Sequence, residues 1–252
     1  MLGVVQGLTE FLPVSSSGHL ILVPRFLGWA DQGLAFDAAI HLGTLAALLV
    51  YFREEIIRML RGADRRLALL LIAATVPAGL AGLLLEKTVE STLRGPRVVA
   101  LSLIGWGLVM WAVDRHAARR ERAVTREQDV GWSTAILVGV AQALALVPGT
   151  SRSGITITAG LCGGLDRPTA ARFAFLLSIP ITAAAGGHKA LSIFRHGAEA
   201  VALGPLAVGI ATSFVAGLAA VWFLVNFLKR RSLLPFVVYR CALGLVILGV
   251  LR

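Results

Sequence analysis

Charge is scarce in this 252-residue chain. Asp, Glu, Lys and Arg make up 15% of it, against about 25% in a soluble domain. Residues of the apolar set reach 57%, and mean hydropathy is +0.80. A water-soluble globule is excluded, and the missing charge points to lipid as the solvent. Cysteine is nearly absent as well. Cys162 and Cys241 stand in or beside apolar segments, which excludes a disulfide framework or a cysteine metal motif and leaves packing as their role. No G-x-x-x-x-G-K-[ST] pattern occurs, so a nucleotide P-loop is excluded. Negative charge is short relative to positive, with 14 Asp+Glu against 24 Lys+Arg. No aromatic–basic platform accompanies the excess, so no nucleic acid is expected as a partner. The basic residues fall mostly between apolar runs, where membrane topology accounts for them. Glycine, in contrast, is plentiful at 27 residues and lets membrane helices approach closely.

Six apolar runs cover 33–52, 67–85, 98–113, 173–188, 202–228 and the stretch from 233 onward. Asp37 interrupts one and Arg240 another. With their flanks, all six are long enough to cross about 30 Å of hydrocarbon at 1.5 Å per residue. The N-terminal stretch has neither a basic start nor a small-residue cleavage site, so it is not read as a signal peptide. Two other apolar stretches are broken halfway. In 1–29 the break is Pro13 followed by Ser15-Ser16-Ser17-Gly18, with Glu10 before it and His19 after it. In 130–165 it is Pro148-Gly149-Thr150-Ser151-Arg152-Ser153-Gly154. Non-helical backbone at membrane depth persists only inside protein or beside a wet cavity. Each stretch is therefore expected to be a re-entrant helix-loop-helix segment rather than a surface loop.

The two broken stretches resemble each other. At an offset of 136, Gln6 matches Gln142, Leu8 matches Leu144, Ser15 matches Ser151, Ser17 matches Ser153 and Gly18 matches Gly154. Three spans separate the copies, and an odd number turns the second copy over. The expectation is an all-α integral membrane protein forming a single membrane domain over 1–252. It has six transmembrane helices plus two re-entrant segments in inverted-topology repeats. Repeat one is 1–116 with its re-entrant part at 1–29, and repeat two is 130–252 with its re-entrant part at 130–165. Such repeats build a polar site where the copies meet. The loops 53–66, 115–126 and 229–231, with Arg167 and Arg172, carry fifteen Lys and Arg residues. The opposite side carries seven: Arg25, Lys87, Arg94, Arg97, Lys189, Arg195 and Arg252. The richer side is expected to be cytoplasmic and both chain ends external.

A permanent cation at membrane depth costs about 2.5–3.5 kcal/mol on insertion scales, so Arg152 needs an anion. A phosphate suits its planar fork of donors. Ser151, Ser153, Thr156 and the free N–H groups of a following helix add further donors. Gln6 and Glu10, four apart, share a helix face. Glu10 can hold a divalent cation with the neutral oxygen of Gln6 beside it. His19 can serve as base, acid or nucleophile, and a serine near it can be activated. Together these groups suit phosphoryl transfer, where positioning and charge neutralisation dominate. A transporter or lipid flippase would suit the inverted repeats equally well, but it needs no nucleophile.

Gln6-x-x-x-Glu10, Pro13-Val14-Ser15-Ser16-Ser17-Gly18-His19 and Pro148-Gly149-Thr150-Ser151-Arg152-Ser153-Gly154-x-Thr156 resemble the two signature motifs of the undecaprenyl-diphosphate phosphatase family, the bacitracin-resistance type. The likeness extends over nearly the whole chain, including Pro235-Phe236-x-x-Tyr239-Arg240. It implies a multi-pass enzyme of the bacterial inner membrane that removes one phosphate from a polyprenyl diphosphate lipid, undecaprenyl diphosphate. That reaction recycles the carrier for peptidoglycan synthesis and gives bacitracin tolerance. The resemblance also implies help from Mg²⁺ or Ca²⁺, an active site opening to the periplasmic side, and room for a homodimer. By the same resemblance Glu10 is the essential acid, Ser16 and His19 are the nucleophile-and-base candidates, and Arg152 binds phosphate. Ser15, Ser17, Ser151, Ser153 and Thr156 complete the phosphate-binding set. Gln6 stands where the family often has a carboxylate, which removes one negative charge from any metal site.

Other polar residues carry weaker expectations. Gln142 is read as hydrogen-bonding near the site as the counterpart of Gln6. Asp37 and His41, four apart, fit either a metal pair or a neutralising pair beside the cavity. Arg240 is read as a structural partner of a carboxylate or of carbonyls. Glu54, Glu55 and Asp64 are read as solvated loop charges.

Overall fold

The computed structural model describes residues 1–29, 33–93, 95–196 and 203–250. Arg94 and Arg252, counted above for orientation, lie outside the described residues, as do the side chains of Lys87, Lys189 and Arg195. Among the described residues all regular elements are helices, and the only strand-like pairing is an isolated bridge between Val124 and Leu165. The helices are α1 (Leu2–Phe11), α2 (Ser16–Leu27), α3 (Gly33–Tyr51), α4 (Arg53–Leu60), α5 (Arg65–Thr92) and α6 (Pro96–Ala117). They continue with α7 (Trp132–Ala143), α8 (Arg152–Cys162), α9 (Arg167–His196), α10 (Leu203–Leu228) and α11 (Leu234–Val250). Among the described residues, four segments are long and apolar enough to cross a membrane: Arg65–Leu85, Pro96–Ala117, Arg167–Gly187 and Gly204–Leu228. Ala39–Tyr51, Trp132–Leu146 and Leu234–Val250 are shorter apolar helices. The chain is an all-helical, multi-pass membrane protein.

Both broken stretches fold as short helix, break, short helix. Helix α1 stops at Phe11 because Leu12 turns extended ahead of Pro13, whose ring disfavours a helical residue before it. Helix α7 runs into a 3₁₀ turn, Leu144–Leu146, and then meets Pro148. The packing of these pairs is matched. Helix α1 lies on α10 as α7 lies on α5. The contacts depend on Gly3 and on Gly139, its equivalent at the same offset of 136. A Cβ on Gly3 would collide with the carbonyl of Gly209 in α10, and one on Gly139 with the carbonyl of Ala74 in α5. Helices α6 and α11, also equivalent at that offset, pack on each other.

One end of the bundle is held by ion pairs. Arg167 grips buried Asp114 with both ends of its fork, Nε to Oδ1 at 2.6 Å and Nη2 to Oδ2 at 3.2 Å. The backbone N–H of Leu233 also donates to Asp114. Arg172 donates to Glu127 at 2.7 Å and to Glu55 at 2.5 Å. Arg66 donates to the carbonyl of Gln128. These contacts gather the loops around 53–66, 114–130, 161–172 and 229–233 on one side. They also correct two expectations. Glu55 and Asp64 are not solvated loop charges: Glu55 neutralises the half-buried Arg172, and Asp64 accepts from Arg58 Nε at 2.8 Å. Glu54 is exposed, as read.

Candidate functional site

The two breaks share one backbone device. Among the described residues, Ser15 (φ 76°) and Ser151 (φ 71°) are the only non-glycine residues with positive φ. Such a conformation costs on the order of 1–3 kcal/mol and persists where the surroundings enforce it, often at functional sites. Each strained serine is followed at once by the first residue of a helix, Ser16 in α2 and Arg152 in α8. Each also pairs with the serine two residues on: Ser15 Oγ lies 3.3 Å from Ser17 Oγ, and Ser151 Oγ lies 3.2 Å from Ser153 Oγ. Ser151 Oγ accepts from the N–H of Gly154 and so caps α8. Ser153 donates to the carbonyl of Leu12, which joins the second break to the first.

Both helix starts converge on one buried carboxylate. Ser16 Oγ donates to Glu10 Oε2 at 2.6 Å, and Arg152 Nη2 donates to Glu10 Oε1. Gln6 Nε2 donates to Glu10 Oε2 at 2.9 Å, as the four-residue spacing on α1 requires. Glu10 is 7% exposed. The other arm of Arg152, Nη1, donates to Thr182 Oγ1 on α9 at 2.6 Å. A narrow cleft at this point is lined by Glu10, Arg152, Ser153, Thr156 and Ser178 among others. Thr156 lines it while its hydroxyl donates back to the carbonyl of Arg152. Gln6 Oε1 is buried with no hydrogen-bond partner, and the same holds for both amide atoms of Gln142. The Gln142 side chain therefore makes no hydrogen bond within the protein.

His19 and Ser16, both on α2, have different hydrogen-bond partners. One ring nitrogen, Nδ1, lies 2.7 Å from the carbonyl of Ser15, and the other, Nε2, lies 2.6 Å from Tyr239 Oη. Arg240, next to Tyr239 on α11, is 1% exposed and donates to the carbonyls of Leu103, Pro13, Ser102, Gly149 and Thr150. Its partners are thus carbonyls, drawn from both breaks and from α6, and it locks the two loops against a third element.

Sequence reasoning missed Thr182 and gave Tyr239 no role. Thr182 had a faint signal, since it and Ser178 flank Pro180 within an apolar run. Tyr239 meets His19 across 220 residues of chain, a contact that no local pattern encodes.

Residues 1–246 match a family profile described as "Bacitracin resistance protein BacA". The chain belongs to the BacA family. Similar curated proteins include Undecaprenyl-diphosphatase 2 of Stutzerimonas stutzeri (strain A1501), 48% identical over 259 residues. That match covers 98% of this chain and 95% of the relative. Undecaprenyl-diphosphatase of Teredinibacter turnerae is 46% identical, over 98% of this chain and 96% of the relative. The protein of the same name from Nitrosococcus oceani is 47% identical, over 96% and 94%. The BacA relationship therefore spans both breaks, the carboxylate between them and the closing helix that carries Tyr239 and Arg240.

Proposed function

We infer that this membrane protein is a hydrolase that converts undecaprenyl diphosphate to undecaprenyl phosphate and phosphate. It thereby recycles the lipid carrier for peptidoglycan synthesis and raises bacitracin tolerance. The observation that carries the chemistry is the sharing of Glu10: a serine hydroxyl takes one carboxylate oxygen and an arginine takes the other. A flippase has no use for a hydroxyl hydrogen-bonded to a buried base.

The arrangement supports a substrate-triggered base. Without substrate, Arg152 neutralises Glu10. An incoming diphosphate offers the Arg152 fork a better-matched anion, and the freed carboxylate becomes a stronger acceptor for the Ser16 proton. Ser16 Oγ then attacks the terminal phosphorus as Glu10 takes its proton. The bond from phosphorus to the bridging oxygen breaks, and undecaprenyl phosphate leaves with the electron pair. Water hydrolyses the phosphoserine, with Glu10 passing protons, and phosphate departs. Ser151, Ser153 and the first N–H groups of α8 surround the phosphoryl oxygens, while Ser15 and Ser17 do so from α2. His19, held through both ring nitrogens, supports the loop that presents Ser16, which favours Ser16 over His19 as nucleophile.

The residues fit a hard divalent cation, Mg²⁺ or Ca²⁺. Glu10 offers a carboxylate, and Gln6 Oε1 is a buried oxygen without a partner beside it. Such an ion would be held by Glu10 and Gln6 and would neutralise charge on the diphosphate. For architecture, we propose six spans with 1–29 and 130–165 re-entrant from opposite faces of the inner membrane, and a site open to the periplasm. The matched strained serines and the matched glycine contacts support the two-repeat reading. The test is phosphate release by purified protein given C55 diphosphate, with and without chelator. Absence of release in both conditions from well-folded protein would overturn the reading.

A further inference from the structure

We propose that His41 of α3 is a ligand of the divalent cation, which it shares with Glu10; this rests on the cation reading above. His41 Nδ1 lies 2.6 Å from the backbone carbonyl of Asp37. A carbonyl only accepts, so Nδ1 carries a proton, and in the neutral ring Nε2 holds the free lone pair. Nε2 points at Glu10 Oε2 from 3.7 Å. That separation is too long for a hydrogen bond. With the ring neutral, it sets two electron-pair donors, Nε2 and Oε2, side by side. Metal–donor distances are about 2.0–2.1 Å, so atoms this far apart lie within reach of one ion. A ligating histidine usually donates its other N–H to a carbonyl or carboxylate, which fixes the ring and its tautomer; the Asp37 carbonyl does this here. The His41 side chain is 34% exposed, against 5% for Glu10, so His41 is the outer of the two groups.

The same point gathers the remaining donors. Glu10 Oε2 receives Gln6 and Ser16, and a half-turn of the Gln6 amide would bring its unpartnered oxygen to that side. Glu10, Gln6, Ser16 and His41 then surround one position, reached from α1, α2 and α3. An imidazole in the set shifts preference toward transition ions, so Mn²⁺ should bind more tightly than Mg²⁺.

The experiment uses purified full-length protein with Mn²⁺ and methylene diphosphonate, a diphosphate mimic that cannot be hydrolysed. Pulsed electron spin resonance reads nitrogen coupled to the bound Mn²⁺. The expected result is ¹⁴N modulation in the wild type that changes when histidine is ¹⁵N-labelled. It should disappear in His41→Gln, and that variant should bind Mn²⁺ at least tenfold more weakly. Bound Mn²⁺ without histidine coupling would overturn the role of His41 and leave the cation reading standing. Coupling that survives in His41→Gln would also overturn it. Failure of the wild type to bind Mn²⁺ at all would overturn the cation reading itself. If His41→Gln does not fold, the ¹⁵N-labelled His19→Gln form supplies the assignment: loss of histidine coupling there would place His19 on the ion and overturn the proposal, and its persistence would support His41.

Discussion

At the scale of single residues, Glu10 and Arg152 are each other's counter-ion until substrate separates them. Arg152→Ala should remove at least two charge-assisted contacts to phosphate, each worth about 1.5–3 kcal/mol. Turnover efficiency should then fall by roughly two to four orders of magnitude. Arg152→Lys keeps the charge and loses the fork that spans Glu10 and Thr182, so it should recover only a small part. Phosphate release from variants with similar thermal unfolding checks both, and full activity in Arg152→Lys would exclude two-armed recognition. Glu10→Gln should abolish turnover and reduce the response to added Mg²⁺, because it removes the acceptor of the Ser16 proton together with the one carboxylate of the cluster. Near-wild-type activity with an unchanged Mg²⁺ response would exclude both roles. Glu10, Ser16 and Arg152 were legible because a charge or hydroxyl beside helix breakers stands out in an apolar stretch. His41 was legible as a neighbour of Asp37 but not of Glu10, and Thr182 and Tyr239 were obscure for the opposite reason. They lie within regular helices, and only long-range packing brings them to the cluster.

At the scale of elements, the two breaks were legible from proline, glycine and serine, and their strained serines fell at equivalent positions. Helix α4 was not: it lies inside the charged loop 53–66, where an eight-residue amphipathic helix depends on contacts with α3 and α5. The ion pair that ties the end of α6 to the start of α9 was also hidden, because partners 53 residues apart leave no local pattern. That pair is the strongest candidate for a stabilising contact outside the site. Asp114 is buried, and it satisfies both a guanidinium and the N–H that leads into α11. Removing one partner of a buried pair leaves the other charge uncompensated, which costs about 3–5 kcal/mol. Asp114→Ala should therefore lower unfolding stability by about that amount in a denaturant titration. Turnover per folded molecule should stay near wild type, since Asp114 touches none of the site residues. A stability change below about 1 kcal/mol would mean that water reaches Arg167 and replaces the carboxylate.

At the scale of the whole molecule, orientation decides which face delivers substrate to the cleft. The ion-pair network collects the loops around 53–66, 114–130, 161–172 and 229–233 at one end. An inverted repeat would bring these loops together, and the same loops carry most of the Lys and Arg residues. An excess of Lys and Arg in short loops is retained on the cytoplasmic side. That end should therefore be cytoplasmic, and the end of α2 should face outward. Two exposed positions report on the two sides, Arg122 in the loop after α6 and Trp29 just past α2. On a background with Cys162 and Cys241 replaced by serine, a cysteine at 29 should react with a membrane-impermeant maleimide in intact cells. A cysteine at 122 should react only after permeabilisation. The reverse pattern would turn the protein over, and the cleft would then have to receive its diphosphate from the cytoplasm. Labelling of both positions in intact cells would mean an even number of crossings between them. The three-span repeat, and with it the inverted relation of Ser16 to Arg152, would then be lost.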